Sequence, residues 1–325
     1  MNKILVFLVV LVGFSTLTSC DKDVQINAEY KEISIVYGLL DPWDSISYLR
    51  IEKAFLSDGD IFQAAQVADS NIYPYKLDVK ILNQNNDVVV TFDTTTVYNK
   101  KEGIFYAPKM TVYYAVTKGL FNAEDTYKLE INNPKSGSQI TSSTKLINGH
   151  ALNISKPNYK ISFEGNHAIE FKSVKDIRLY QTNIRFYYIE EDVITGDSTS
   201  HYIDWVQAPV TSQFISGGED MDVQYSGDAF FANLRNNIPV KENIIRREGP
   251  VMVIVSMADE TFNIYMDINK PSASLVIDRP AFTNIENGFG IFASRSQQEK
   301  SSKMNSSSHR ILMEMEDLNF RESNN

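Results

Sequence analysis

One cysteine occurs in the 325 residues, and its position is the most chemically specific feature of the chain. Cys20 closes the string Leu17-Thr18-Ser19-Cys20, behind a positive start at Lys3 and an apolar run over 4–14 broken only by Gly13. A helix needs about 20 residues to cross a bilayer core of about 30 Å, so the run is too short to span and reads as the apolar region of a secretory signal peptide over 1–19. The string itself resembles a lipobox, in which the thiol accepts a diacylglycerol and the small residue before it permits cleavage. An ordinary signal peptide ending near a cysteine, or a short buried helix with a core thiol, is the alternative. Lys3, the run length and the placement of the sole cysteine together favour lipidation of Cys20. One acyl chain binds a membrane only marginally and two or more hold it, so the expected partner of Cys20 is the membrane itself. Residues 20–27, with Asp21, Lys22 and Asp23, read as a solvated tether. With no second cysteine, the mature chain forms no internal disulfide.

Catalytic chemistry is sparse. His150, His167, His201 and His309 lie far apart, with no HExxH or paired spacing, so a zinc site would have to be assembled from separate regions. There is no GxSxG elbow, P-loop or GxGxxG, and no mature thiol nucleophile. Carboxylates cluster at Asp41 with Asp44, Asp58 with Asp60, Glu190 to Asp192, and Glu219 with Asp220 and Asp222. Such pairs suit a glycosidase acid and nucleophile, or calcium. Each also stands where a solvated turn needs Asp and Gly, which is the reading preferred here. The segment 217–222 is the best calcium candidate, although it lacks the twelve-residue ligand spacing of a recognised loop. Tyr202 with Trp205 could form a sugar platform, and Trp43 sits beside Pro42 at a turn; both tryptophans read better as core plugs or hinges. No cofactor, metal or catalytic residue is expected.

The elements that must carry these residues are β-strands. Tyr and Phe number 17 and 18, and aromatic side chains pack well on pleated surfaces. Apolar residues make up 43% and charged ones 22%, within the globular range. The net charge of −10 repels a polyanion, which excludes nucleic acid as a partner. Period-two alternation begins at Ile33, Ile35 and Tyr37, turns at 41–44, and resumes with Ile46 and Tyr48 on one face and Leu49 and Ile51 on the other. Further strands are predicted at 76–82, 88–92, 103–106, 111–116, 127–131 and 139–147, with a short helix over 61–68 capped from 58–60. This density of strands predicts an immunoglobulin-like β-sandwich over 28–150. After a boundary at 148–157, strands are expected at 159–163, 168–171 and 177–189, and hairpin tips at 191–199 and 216–222. Helices over 228–237 and 258–269 each begin beside an acidic residue. The polar stretch 297–309 reads as a mobile loop before a last element at 311–318. Residues 151–325 are thus predicted as a second β-rich domain with short helical insertions. The turn 284–290 reads as a chain reversal that returns Phe289, Ile291 and Phe292 to the core, Asn287-Gly288 favouring left-handed geometry, rather than as a ligand clamp.

Several segments carry a resemblance. Tyr37-Gly38-Leu39-Leu40-Asp41, the stretch YLRIEKAFL at 48–56, Asp69-Ser70 with Tyr73, 102–105, Tyr127-Lys128-Leu129 and above all PAFTNIENGFGIFASR at 280–295 resemble a family of uncharacterised lipoproteins of the Bacteroidota. The genes of that family often lie beside those for TonB-dependent outer-membrane receptors. Its motifs look structural and bring no catalytic residues with them. The lipobox, the two β-rich parts, the absent catalytic motifs and this resemblance together predict a cell-envelope lipoprotein of the outer membrane, not an enzyme, that docks on such a receptor. A glycan- or ligand-binding module and a hydrolase with a carboxylate pair are the alternatives. Exposed aromatics lining one groove would mark the former; two buried carboxylates facing one cleft would mark the latter.

Overall fold

A computed structural model of the chain describes residues 33–54, 63, 65–98, 106–270 and 282–322. The signal peptide, Cys20, the tether, Asp58 and Asp60 lie outside the described residues, as do 103–105 of one predicted strand. The chain is mainly β with short helices, as the alternation implied. In order, the strands of the first half are β1 (Ser34–Leu40), β2 (Ile46–Lys53), β3 (Asp78–Leu82), β4 (Val88–Thr91), β5 (Asp93–Val97), β6 (Met110–Val116), β7 (Thr126–Asn132) and β8 (Gln139–Lys145). A short helix α1 (Ala68–Asn71) stands between β2 and β3. The second half contributes β9 (Ile154–Lys156), β10 (Lys160–Ile161), β11 (Asn166–Lys172), β12 (Leu179–Asp192), β13 (Ser198–Val206), β14 (Val210–Thr211), β15 (Asp220–Ser226), β16 (Ile244–Ala258) and β17 (Gly288–Met304). Its helices are α2 (Gly227–Asn237), α3 (Glu260–Asn269) and α4 (Ser306–Met313).

Ten of these strands make one sheet that runs β13-β12-β16-β17-β1-β2-β6-β5, with β10 beside β17 and β14 beside β12. Its centre is the parallel pairing of β1 with β17, Val36 opposite Gly290 and Leu40 opposite Ser294. Following the register outward, Val36, Phe292, Val251, Val253, Val255 and Ile184 all fall on one face. Two smaller sheets cover that face. The four strands β4-β3-β7-β8 enclose one core with β1, β2 and β6, containing Val36, Leu49, Ile81, Leu129 and Phe292. The three strands β15-β11-β9, with α2 and α4, enclose a second with β12 and β16, containing Phe171, Phe186, Phe230, Val253 and Leu312. The cores meet just before residues 148–157: Leu146 belongs to the first and Ile147 to the second. The sheet runs through that junction, and β17 borders both halves.

Two expectations are corrected by β17. The stretch 297–309 is not a loop: it is the last part of a 17-residue strand, followed by α4, whose cap Asn305 accepts the Ser308 amide at 2.9 Å. Its polar composition misleads because Gln297, Glu299 and Ser301 point to the uncovered face, while the backbone is held by β16 from Ser296↔Met257 to Ser302↔Val251. Phe289, expected in the core, lies on that uncovered face and is 49% exposed; Ile291 is buried, and Phe292 alone enters the first core. The chain reversal itself is present. Asn284 clamps Phe292 through both backbone atoms at 2.6 and 2.9 Å, Asn287 has φ +59°, and Gly290 has φ +108°. A Cβ on Gly290 would lie 1.9 Å from the Val36 carbonyl oxygen, so only glycine allows β1 to approach there.

Candidate functional site

The second face of the ten-stranded sheet is covered in part by α3, and the groove beside this helix is a candidate site. Its base is the outward row of β1 and β17, Tyr37, Leu39 and Ile291. Phe262 and Tyr265, three residues apart and therefore on one side of α3, line it on the helix side. Tyr48 lines it from β2. Asp44, in the turn between β1 and β2, meets Arg295 of β17 at 2.5 Å among the lining residues. The groove encloses about 340 Å³.

Asp259 positions the helix side. Its carboxylate caps α3 by accepting the Phe262 amide at 2.9 Å, and accepts the Ser294 amide of β17 at 3.0 Å and the Thr144 hydroxyl at 3.3 Å. One buried carboxylate therefore fixes α3 both to its own axis and to the sheet. Burial pushes the Asp259 carboxyl up despite these donors. Burial likewise raises the Tyr37 hydroxyl, with further contributions from the charge of Tyr265 and a hydrogen bond with its side chain. The Arg50 guanidinium lies 5.1 Å from the centre of the Tyr37 ring, a cation–π contact that holds this ring on the sheet.

Among the described residues, the carboxylates singled out by sequence do not converge on one site. Asp41 is a turn residue, as expected, but it is not solvated. It is buried, it accepts the Trp43 amide at 3.0 Å, and burial raises its carboxyl. Glu190 departs furthest from the solvated-turn reading. It is the inner-facing end of the alternation that buries Tyr180, Thr182, Ile184, Phe186 and Tyr188, and it stands opposite Arg246 of β16. Arg246, fully buried, donates to it at 2.7 and 3.0 Å, and Lys241 at 2.6 Å. Burial works to raise the Glu190 carboxyl; the hydrogen bonds from Lys241 and Arg246 and their charges outweigh it, and the group sits below its ordinary range. Glu191 pairs with Arg247 at 3.0 Å, and Asp192 accepts the Ile194 amide within the hairpin tip. In the segment 217–222, Glu219 accepts the Gln213 amide, Asp220 pairs with Lys172, and Asp222 accepts from Gln224. Asp220 and Asp222 border a polar cavity of about 570 Å³ on β11 and β15. Among the described residues, no three His, Cys, Asp or Glu side chains converge to hold a metal. Asp41, Glu190 and Asp259 are buried, and none of them lines this cavity or the groove.

The histidines stay apart. His150 stacks on Trp43 at 3.8 Å, His167 contacts the Glu164 carbonyl, His201 stacks on Tyr188, and His309 is held between Glu248 and Glu322. Trp43 is 38% exposed and so is not a core plug, whereas Trp205 packs against Phe230 and Tyr225 at the edge of the second core. Tyr202 and Trp205 do not form a platform. Three residues apart on β13, they point to opposite faces, and Tyr202 carries the Arg185 guanidinium at 4.2 Å instead.

Sequence reading did not assemble the groove. Its signals were present separately, in the outward Ile46 and Tyr48 of β2 and in an acidic cap before an aromatic i, i+3 pair. The pairing that joins them, β1 with β17, spans some 250 residues of sequence and has no local mark. Compared with known proteins, the chain matches no family model and no curated protein. No helix among the described residues is long and apolar enough to cross a membrane.

Proposed function

We propose that this chain is a lipid-anchored lipoprotein of the cell envelope, held at the outer membrane through acyl chains on Cys20, that acts without catalysis as an accessory or docking protein for an outer-membrane transport system. The partner class is a TonB-dependent receptor. The observation that carries the non-catalytic part is the state of the acidic groups. The carboxylates nominated from sequence that fall within the described residues are occupied by basic side chains, backbone amides or a side-chain amide, and the groove beside α3, one of the open concave features, is lined mainly by aromatic and aliphatic side chains. A surface of this kind works through shape and ring contacts and has no positioned base or nucleophile. A ligand-binding module is the second reading, and the aromatic groove is the feature that favours it over a hydrolase.

The test is co-purification of the tagged full chain from its native envelope in mild detergent. A TonB-dependent receptor should elute with the wild type, and its yield should fall with Cys20→Ser, which leaves the membrane. A chain that elutes alone from intact membranes would contradict the docking role. So would a single carboxylate substitution that abolishes growth on one glycan while the protein stays folded and membrane-bound.

A further inference from the structure

We propose that the groove between α3 and β2 is a binding site for a neutral saccharide, with Tyr48 and Tyr265 as its ring contacts and the Asp44–Arg295 pair as its hydroxyl-recognising pole. This rests on the ligand-binding reading above and names the ligand class.

Three features of the groove select this chemistry. The first is the aromatic lining: Tyr37, Tyr48, Phe262 and Tyr265 give flat apolar faces, three of them edged by a hydroxyl. A ligand that fits must itself present an apolar face and a polar rim. The second is the charge balance. Asp44 and Arg295 bond each other at 2.5 Å and keep 30% and 42% of their side-chain surface open. A charged ligand would have to break that pair to satisfy its own charge. A wholly apolar one would strip water from both groups and return no hydrogen bond, which is costly. A neutral ligand with vicinal hydroxyls bonds both partners at once, donating to Asp44 and accepting from Arg295, and leaves the pair intact. The third is size. A volume of about 340 Å³ lies at the low end of the roughly 300–1,000 Å³ usual for ligand sites, room for about one or two sugar rings. A pyranose meets all three conditions, because its axial C–H bonds make one flat face apolar while its equatorial hydroxyls ring the edge.

The site is also pre-organised. Asp259 locks α3 to Ser294 of β17, and Arg50 holds the Tyr37 ring. Tyr48, 52% exposed, is the ring left free to take a ligand face.

The experiment is calorimetric titration of the full chain, in a polyoxyethylene detergent that carries no sugar headgroup, with maltohexaose, cellohexaose, xylohexaose and mannohexaose. At least one of these should bind with Kd below about 1 mM, and Tyr48→Ala should weaken that binding at least about tenfold. Asp44→Asn should weaken it as well. Tyr48 is a surface residue, so the variant's unfolding midpoint should match the wild type, which separates loss of contact from loss of fold. Absence of binding by all four probes, or binding that Tyr48→Ala and Asp44→Asn leave unchanged, overturns the assignment. Co-purification of a receptor with a chain that binds none of the sugars would leave the docking role standing and remove the saccharide site; sugar binding with no receptor retained would do the reverse.

Discussion

Replacement of Glu190 by Gln removes the charge from the deepest ion pair among the described residues. Arg246 is 0% exposed, and its guanidinium spends two contacts on Glu190 and two on the carbonyls of Leu318 and Pro239, each at 2.7 Å. These contacts join β12, β16 and the C-terminal segment, where Phe320 enters the second core. Breaking a buried pair by removing one partner costs about 3–5 kcal/mol, because the remaining ion stays desolvated. Gln keeps one oxygen for Arg246 and turns an amide donor toward Lys241, which is 43% exposed and free to swing into water. The cost should therefore fall at the low end, about 3 kcal/mol. For a chain of this size that is a fall in Tm of roughly 5 °C. Glu191→Gln is the control, because its Arg247 pair is part-exposed and such pairs contribute about 1 kcal/mol or less. Thermal unfolding followed by circular dichroism reads both. Since the folded-state carboxyl of Glu190 sits below its unfolded value, its contribution is present above about pH 4.3 and lost as pH falls through the folded value, so the two proteins should converge in acid. An E190Q protein within about 1 kcal/mol of wild type, or no more affected than E191Q, would refute this account of the pair.

Two further outcomes follow from the same geometry. Asp259→Ala removes the cap of α3 and orphans the buried Ser294 amide, so stability should drop by about 2–4 kcal/mol in denaturant titration and limited proteolysis should cut first near α3. His309 is held above its ordinary value by its hydrogen bonds to Glu248 and Glu322, so its contribution is complete below about pH 6.5 and disappears as pH rises through the folded value; melts of wild type against His309→Ala should diverge in mild acid and converge in alkali.

What was legible in the sequence was local. The turn at Asp41, the faces of β2, the helices α2 and α3 with their acidic starts, and the left-handed Asn287 all follow from spacing and from the φ preferences of single residues. What was not legible depended on distant partners. The Ser, Lys and Gln run of β17 is a central strand only because β16 supplies its hydrogen bonds, and nothing in the run itself reports that. Glu190 looked like part of a solvated turn because composition shows three acids in a row, whereas period two places the first of them on the inner face with Arg246 opposite. The groove failed for the same reason: Tyr37, Tyr48, Tyr265 and Arg295 become neighbours only once β17 lies beside β1.

The anchor carries the central claim, and one labelling measurement reaches it directly. Cells expressing the full chain are fed a clickable fatty acid, and the protein is followed in gel and in membrane and soluble fractions, wild type beside Cys20→Ser. The proposed lipoprotein predicts label on the wild type, its recovery in the membrane fraction, and loss of both in the variant. Label and membrane recovery retained by Cys20→Ser, or a wild type that takes no label, would contradict it.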